Sequence, residues 1–322
     1  MFKIGSRVIK TALGSATAIF IAQSLGLNFY SSAGILTILC IQPTKKRSLE
    51  TSIRRYSACV VVLVFCYFFF SVFGFNPFGI ALLLLFFIPT LVMLNIQEGV
   101  ISSSVIMVHI YSLQKISLHI VLNELYVISI GIGVALLFNL YMPSLEHKVN
   151  LYKKEIENGF ILILDAISVF LNSPEEKFDL KEVNQIEKKI GIAKRISKLE
   201  IDNHFFRSSN DEDYEYVAMR ERQLEILKRI INSLKIVKKE NEQSKILSDF
   251  FHDICFSLNP NSTGIISLHQ LDELYEMFRS MPLPKNSDDF ETRAAVLNII
   301  HEMENFLVVK KRYVEKYVNK SR

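Results

Sequence analysis

Residues 42–73 read QPTKKRSLETSIRRYSACVVVLVFCYFFFSVF. A basic, hydroxyl-rich stretch containing Lys45, Lys46, Arg47, Arg54 and Arg55 runs straight into an apolar one, and no charged side chain follows Arg55 until Glu98. A helix rises about 1.5 Å per residue and needs about 20 apolar residues to cross a hydrocarbon core roughly 30 Å thick. The apolar half of this segment is read as one such crossing, over Ser57 to Phe73. Pro43 cannot continue a preceding helix but suits the start of a new one. The basic part is therefore expected as a separate helix, with Leu49, Ile53 and Tyr56 forming an apolar stripe along the membrane surface.

Working outward, five more apolar stretches fit membrane-type helices: Val8 to Leu27, Tyr30 to Gln42, Pro77 to Leu94, Val100 to Leu113 and Ile120 to Tyr141. The second and fifth of the six are short, and each is the middle member of a group of three. An odd number of crossings per group would invert the second group, an arrangement that places a site near the midplane in many transporters. Gly14, Ala18 and Ala22 recur every fourth residue in the first stretch, where small side chains let helices approach closely. The first stretch lacks a small-residue cleavage site and is expected to stay in the mature protein.

The chain divides near Met142 into residues 1–142, a transmembrane domain, and residues 143–322, a helical bundle. Up to Met142 there are nine basic and three acidic side chains, whereas the remainder holds 28 basic and 30 acidic ones. Lysine and arginine collect before the first crossing, after the second and after the sixth. The positive-inside rule then puts both termini in the cytoplasm of a multi-pass plasma-membrane protein. The modest basic balance gives no reason to expect a nucleic-acid partner. Cys40, Cys59 and Cys66 lie in apolar stretches and Cys255 in a helix of the second half, so all four are read as packing residues.

Function-bearing candidates are few. Lys45, Lys46, Arg54 and Arg55 would place a positive field at the inner mouth, suited to an organic anion, with Arg54 and Arg55 best shaped to grip a carboxylate. Anchoring to anionic lipid headgroups explains the same charges. Gln42 marks the break after the second crossing. His109 and Glu124 are ionisable groups at membrane depth, where burial costs a few kcal/mol without a partner or water, and either could carry a proton. In the second half, His252, Asp253 and Cys255 cluster but lack zinc-ligand spacing with His269 or His301, and Asn305 stands where His-Glu-x-x-His needs its second histidine. No phosphate-binding loop or nucleophile motif is present. Neither an enzyme nor a cofactor or metal is expected. From residue 150 onward the periodicity is helical, as at Leu224, Leu227, Ile230, Ile231 and Leu234. Breaks at 172–174, 208–213, 259–264 and 281–286 give five or six helices.

The segments Ile4-Gly5-Ser6-Arg7-Val8-Ile9-Lys10-Thr11-Ala12, Ser31-Ser32-Ala33-Gly34-Ile35 and Gln42-Pro43-Thr44-Lys45-Lys46 resemble the bacterial aromatic acid exporter family, in the branch with an appended helical C-terminal domain. The resemblance covers essentially the whole chain. It implies an all-α, six-span unit working as a homodimer and exporting small organic anions such as aromatic carboxylates. A membrane-anchored regulatory or interaction module without transport is the other reading of the same layout.

Overall fold

The computed structural model describes residues 5–173, 178–203, 211–237, 242–257, 265–284 and 286–318. The chain is all-helical, with no strand among the described residues, and it forms two compact units. The first holds residues up to Ser144, joined by the described residues 201–203. The second begins at Leu145.

The first unit contains α1 (Ser6–Ser24), α2 (Ser31–Cys40), α3 (Lys45–Phe73), α4 (Pro77–Met93), α5 (Val100–Leu113) and α6 (Leu118–Leu140), with a single 3-10 turn at Gln97–Gly99 before α5. Each apolar stretch of the sequence folds as a helix. Two, α3 and α6, are long and apolar enough to cross a bilayer by length and composition, and α2 and α4 are shorter apolar helices. At ten residues α2 is about 15 Å long, and at fourteen α5 is about 21 Å.

The basic segment departs from its expectation. It is not a surface helix of its own, because α3 runs unbroken for 29 residues from Lys45 to Phe73, about 43 Å. Thr44 begins it, its side chain accepting a hydrogen bond from the Arg47 backbone N–H at 3.3 Å, and no residue between Lys45 and Phe73 interrupts helical geometry. Leu49, Ile53 and Tyr56 do share an exposed face, as the first turns of that long helix.

Small residues set the packing. Lys10, Gly14, Ala18 and Ala22 are the buried side of α1, turned toward α2 and α6. A Cβ on Gly14 would lie 3.2 Å from Thr37 Cγ2, so this stripe is used within the chain. At Gly131 in α6 a Cβ would meet the Ala33 carbonyl oxygen of α2 at 2.6 Å, and Thr37 Oγ1 donates to the Gly131 carbonyl at 2.9 Å. Backbone approach of this kind, with a hydroxyl crossing between helices, suits an apolar medium in which burial of oily side chains gives no net drive. Large apolar side chains face outward, among them Phe20, Val64, Phe68, Leu85 and Leu137.

The second unit comprises α7 (Glu146–Asn172), α8 (Lys181–Ile201), α9 (Asp211–Leu234), α10 (Glu242–Ser257), α11 (Ile265–Ser280) and α12 (Ser287–Tyr313), the last running into a π-helical turn to Val318. Packing is chiefly α7 on α10 and α9 on α12, around Phe160, Ile163, Leu227, Ile231, Met303 and Phe306. The α9 periodicity is buried as its spacing implies. In α8 the apolar stripe is Val183, Ile186, Ile190 and Ala193, and it continues onto buried Ser197 and Glu200. Glu200 Oε2 accepts from the Leu145 backbone N–H at 2.9 Å, capping the start of α7. A further break, at Lys235 to Val237, separates α9 from α10. The break expected at 259–264, and the first half of that at 208–213, lie outside the described residues, while residues 211–213 already belong to α9.

Buried charge in this unit centres on Arg220, whose side chain is fully enclosed. Its Nε donates to Glu157 Oε1 at 2.8 Å, its Nη2 to both carboxylate oxygens, and its Nη1 to Gln223 Oε1 at 2.8 Å. Gln223 Nε2 in turn donates to the Phe306 carbonyl at 2.9 Å, and the guanidinium lies 4.8 Å over the Phe160 ring. Lys310 is buried nearby. Burial first, then the Arg220 charge, push its ammonium down to about 8, with Glu157 pulling the other way.

Two outcomes follow from these contacts. Gly131→Ala should destabilise the first unit by about 1–3 kcal/mol, since the obstructing atom is backbone, while Gly133→Ala, with open space around it, should be nearly neutral. Detergent melting curves of the two variants compare them directly. In the second unit the folded-state pKa of Lys310 lies below its ordinary 10.5, so the cost of the buried ammonium is fully present below about pH 8 and fades as pH rises toward 10.5. Lys310→Met should therefore melt higher than the parent at neutral pH, by a margin that narrows above pH 8; a constant margin in circular dichroism melts would contradict this.

Candidate functional site

The basic start of α3 divides its charges by helical rotation. Arg54 is half-exposed, and its Nη1 contacts Glu98 Oε1 at 3.2 Å, while Thr51 Oγ1 donates to Glu98 Oε2 at 3.0 Å. Glu98 sits on the 3-10 turn that leads into α5. A shallow cleft of about 250 Å³ lies here, with Lys46, Arg47, Glu50 and Glu98 among its lining residues. Lys45 is half-buried and Lys46 exposed. Gln42 belongs to the extended link before α3: its Nε2 donates to the Leu39 carbonyl at 3.1 Å, and its own carbonyl accepts from Asn139 Nδ2 at 3.1 Å.

Arg55, one residue on from Arg54, points the opposite way. It is 8% exposed, and its Nε and Nη1 are buried without a hydrogen-bond partner. Ser52 Oγ, one turn earlier on the same helix, is likewise buried, with the Cys40 thiol beside it. Gly99 packs against this part of α3 so closely that a Cβ would sit 3.3 Å from Arg55 Cα and 2.2 Å from Ala58 Cβ. Only a residue without a side chain allows α5 to begin here. A buried cation with unused donors costs several kcal/mol, and a guanidinium donates hydrogen bonds readily to carboxylate oxygens.

A second polar cluster gathers His109 of α5 and Glu124 of α6, which the sequence separates by a turn and 15 positions. Glu124 is fully enclosed and His109 is 8% exposed. His109 Nδ1 lies 3.0 Å from Glu124 Oε2, and its Nε2 lies 3.0 Å from Ser32 Oγ at the start of α2. The Phe29 ring stacks on the imidazole, centroids 4.1 Å apart and planes within 3°. Asn123 holds the turn that carries Phe29, accepting from the Asn28 N–H at 2.8 Å and donating to the Asn28 carbonyl at 3.1 Å. Sequence reading singled out His109 and Glu124 but not Ser32, Asn123 or Phe29. Nothing in the sequence signals Phe29, whose backbone sits at φ +55.

In the second unit His252 is exposed, with its Nδ1 4.0 Å from Asp165, and His301 is exposed beside Glu304. No cluster of three metal-ligating side chains occurs among the described residues. All four cysteines are free thiols.

These features define an all-helical protein whose first unit is apolar on its outside and polar at two interior points. Residues 2–142 match the family described as "Aromatic acid exporter family member 1", and residues 146–311 match "Putative aromatic acid exporter C-terminal domain". The chain belongs to the aromatic acid exporter family. It is 44% identical over 310 residues to "Uncharacterized protein YqjA" of Bacillus subtilis, covering 96% of each chain. It is 23% identical over 247 residues to "UPF0421 protein OB2406" of Oceanobacillus iheyensis, covering 73% of this chain and 67% of that one. A crystal structure titled as a putative membrane protein from Clostridium difficile 630 aligns with 51% of this chain and 98% of its own, at 22% identity and a TM-score of 0.47.

Proposed function

We propose that this chain is a multi-pass exporter of small organic anions, aromatic carboxylates among them, in which Arg55 receives the carboxylate. The carrying observation is the buried guanidinium with two of its nitrogens, Nε and Nη1, unused. Charged hydrogen bonds are stronger than neutral ones, and each of these nitrogens can donate one to a carboxylate oxygen. Ser52 adds a hydroxyl on the same face of α3. Arg54 has a different task, because Glu98 already neutralises it; it orders the entrance and, with Lys45 and Lys46, draws anions and lipid headgroups toward it.

In this reading all six helices of the first unit lie in the plasma membrane, with both termini cytoplasmic. The short α2 and α5 are the middle members of two inverted groups of three, and the polar points they carry face the interior, where irregular or polar elements at membrane depth are tolerated. Two copies associate, with lipid around the outward apolar faces. The second unit remains in the cytoplasm.

The test is efflux of labelled hydroxybenzoates and aliphatic carboxylates from cells overproducing the chain, at matched membrane abundance. Losing a charged hydrogen-bond pair is worth about 1.5–3 kcal/mol, so Arg55→Gln should raise the half-saturating concentration roughly ten- to a hundredfold. Arg54→Gln should change it by less than about threefold, as expected for a solvent-exposed ion pair. Equal loss in both variants would assign the effect to the general positive field. No efflux of any carboxylate from the parent would favour a membrane-anchored interaction module.

A further inference from the structure

The His109–Glu124 cluster is a closed structure around two titratable groups, and the anion reading above makes no use of it. Three helices and one turn converge there. Ser32 comes from α2, His109 from α5, and Glu124 and Asn123 from α6, while the turn between α1 and α2 lays Phe29 over the imidazole. From α3 the titratable neighbour is Cys59, a fully buried thiol within electrostatic reach of Glu124.

Proton bookkeeping at this site has two states that keep the same hydrogen bonds. With one proton shared by the pair, as imidazolium with carboxylate or imidazole with carboxylic acid, the net charge is zero. His109 Nδ1 and Glu124 Oε2 stay bonded, and the Ser32 hydroxyl turns to accept from or donate to Nε2. Without that proton, a neutral imidazole still donates from Nδ1 and accepts from Ser32, but Glu124 leaves one uncompensated negative charge in an enclosed, apolar interior. Such a charge is strongly disfavoured unless water reaches it. Water is kept out on one side by the Phe29 ring, and Phe29 is held by the Asn28 backbone on the Asn123 amide. His109 keeps only 8% exposure, and lifting that turn would widen water's access to the pair.

We infer that His109 and Glu124 form a one-proton binding site whose occupancy latches the α1–α2 turn onto α5 and α6, closed when the proton is bound and released when it is lost. Ser32 positions the imidazole, and Asn123 transmits the state of the site to the turn. The latch rests on its own contacts and holds whatever species the protein carries.

Hydrogen exchange on the full-length chain in lipid nanodiscs reads the turn directly, over residues 25–33 and from about pH 5 to about pH 9, with rates corrected for the intrinsic pH dependence of exchange. The parent should lose protection of this segment by about tenfold or more as pH rises, while the α5–α6 turn at residues 114–117 stays constant. Glu124→Gln, which keeps an acceptor for Nδ1 without the charge, should hold the segment protected across the range. The double variant His109→Gln, Glu124→Gln, which leaves neither ionisable partner, should also abolish the pH dependence, and it carries the test if the first variant folds poorly. A parent segment that does not respond to pH, one that becomes more protected at high pH, or a response that survives in both variants would overturn the latch. No substrate is present and Arg55 is intact, so absence of carboxylate export leaves this result unaffected.

Discussion

The first unit depends on how closely α2 can approach α1 and α6. At Gly131 the α2 backbone comes so near that even a methyl group would collide with the Ala33 carbonyl, and Gly34 meets Ile19 and Ser15 of α1 just as tightly. Thr37 fastens the contact by bonding across to the Gly131 carbonyl. This short helix has a polar assignment at each end. Its first turn brings Ser32 to His109, and its last leads through Gln42 into Thr44, where α3 begins. Shifting α2 by one turn, about 5.4 Å, would therefore displace both interior polar points together.

Arg54 and Arg55 show how one helical step decides chemistry. Successive residues on a helix differ by about 100° of rotation, which sends one guanidinium to Glu98 at the surface and buries the other. An ion pair in water contributes little, whereas an enclosed cation with unused donors is costly to keep. The same logic separates the two units. In the second, Arg220 is more fully enclosed still, but Glu157 and Gln223 occupy its Nε, Nη1 and Nη2. The contrast makes Arg220 a structural cation and leaves donors of Arg55 unused.

Helix positions were legible because charge-free runs and turn residues are written plainly in this chain: Asn76-Pro77 and Ser117 begin α4 and α6 where capping chemistry puts them. The separate basic helix was misread because Pro43 signals a start but nothing in the sequence from Lys45 onward says where that helix ends. Nothing in the periodicity of α8 marks Glu200 as buried, where it accepts from the Leu145 N–H. At the candidate site, ionisable residues in apolar stretches stand out by their desolvation cost, which brought His109 and Glu124 forward, and Arg55 stood out as part of a basic cluster. Their partners did not stand out. Serine and asparagine are common in such helices, and the stacking of Phe29 depends on a left-handed backbone that a phenylalanine does not advertise.

The two interior polar points share a helix. Gly99 seats the start of α5 against Arg55 and Ala58 of α3, and about three turns further on the same helix brings His109 to Glu124 of α6. A shift of α5 along α3 would therefore alter the surroundings of Arg55 and the His109–Glu124 contact together, without any direct contact between the two sites.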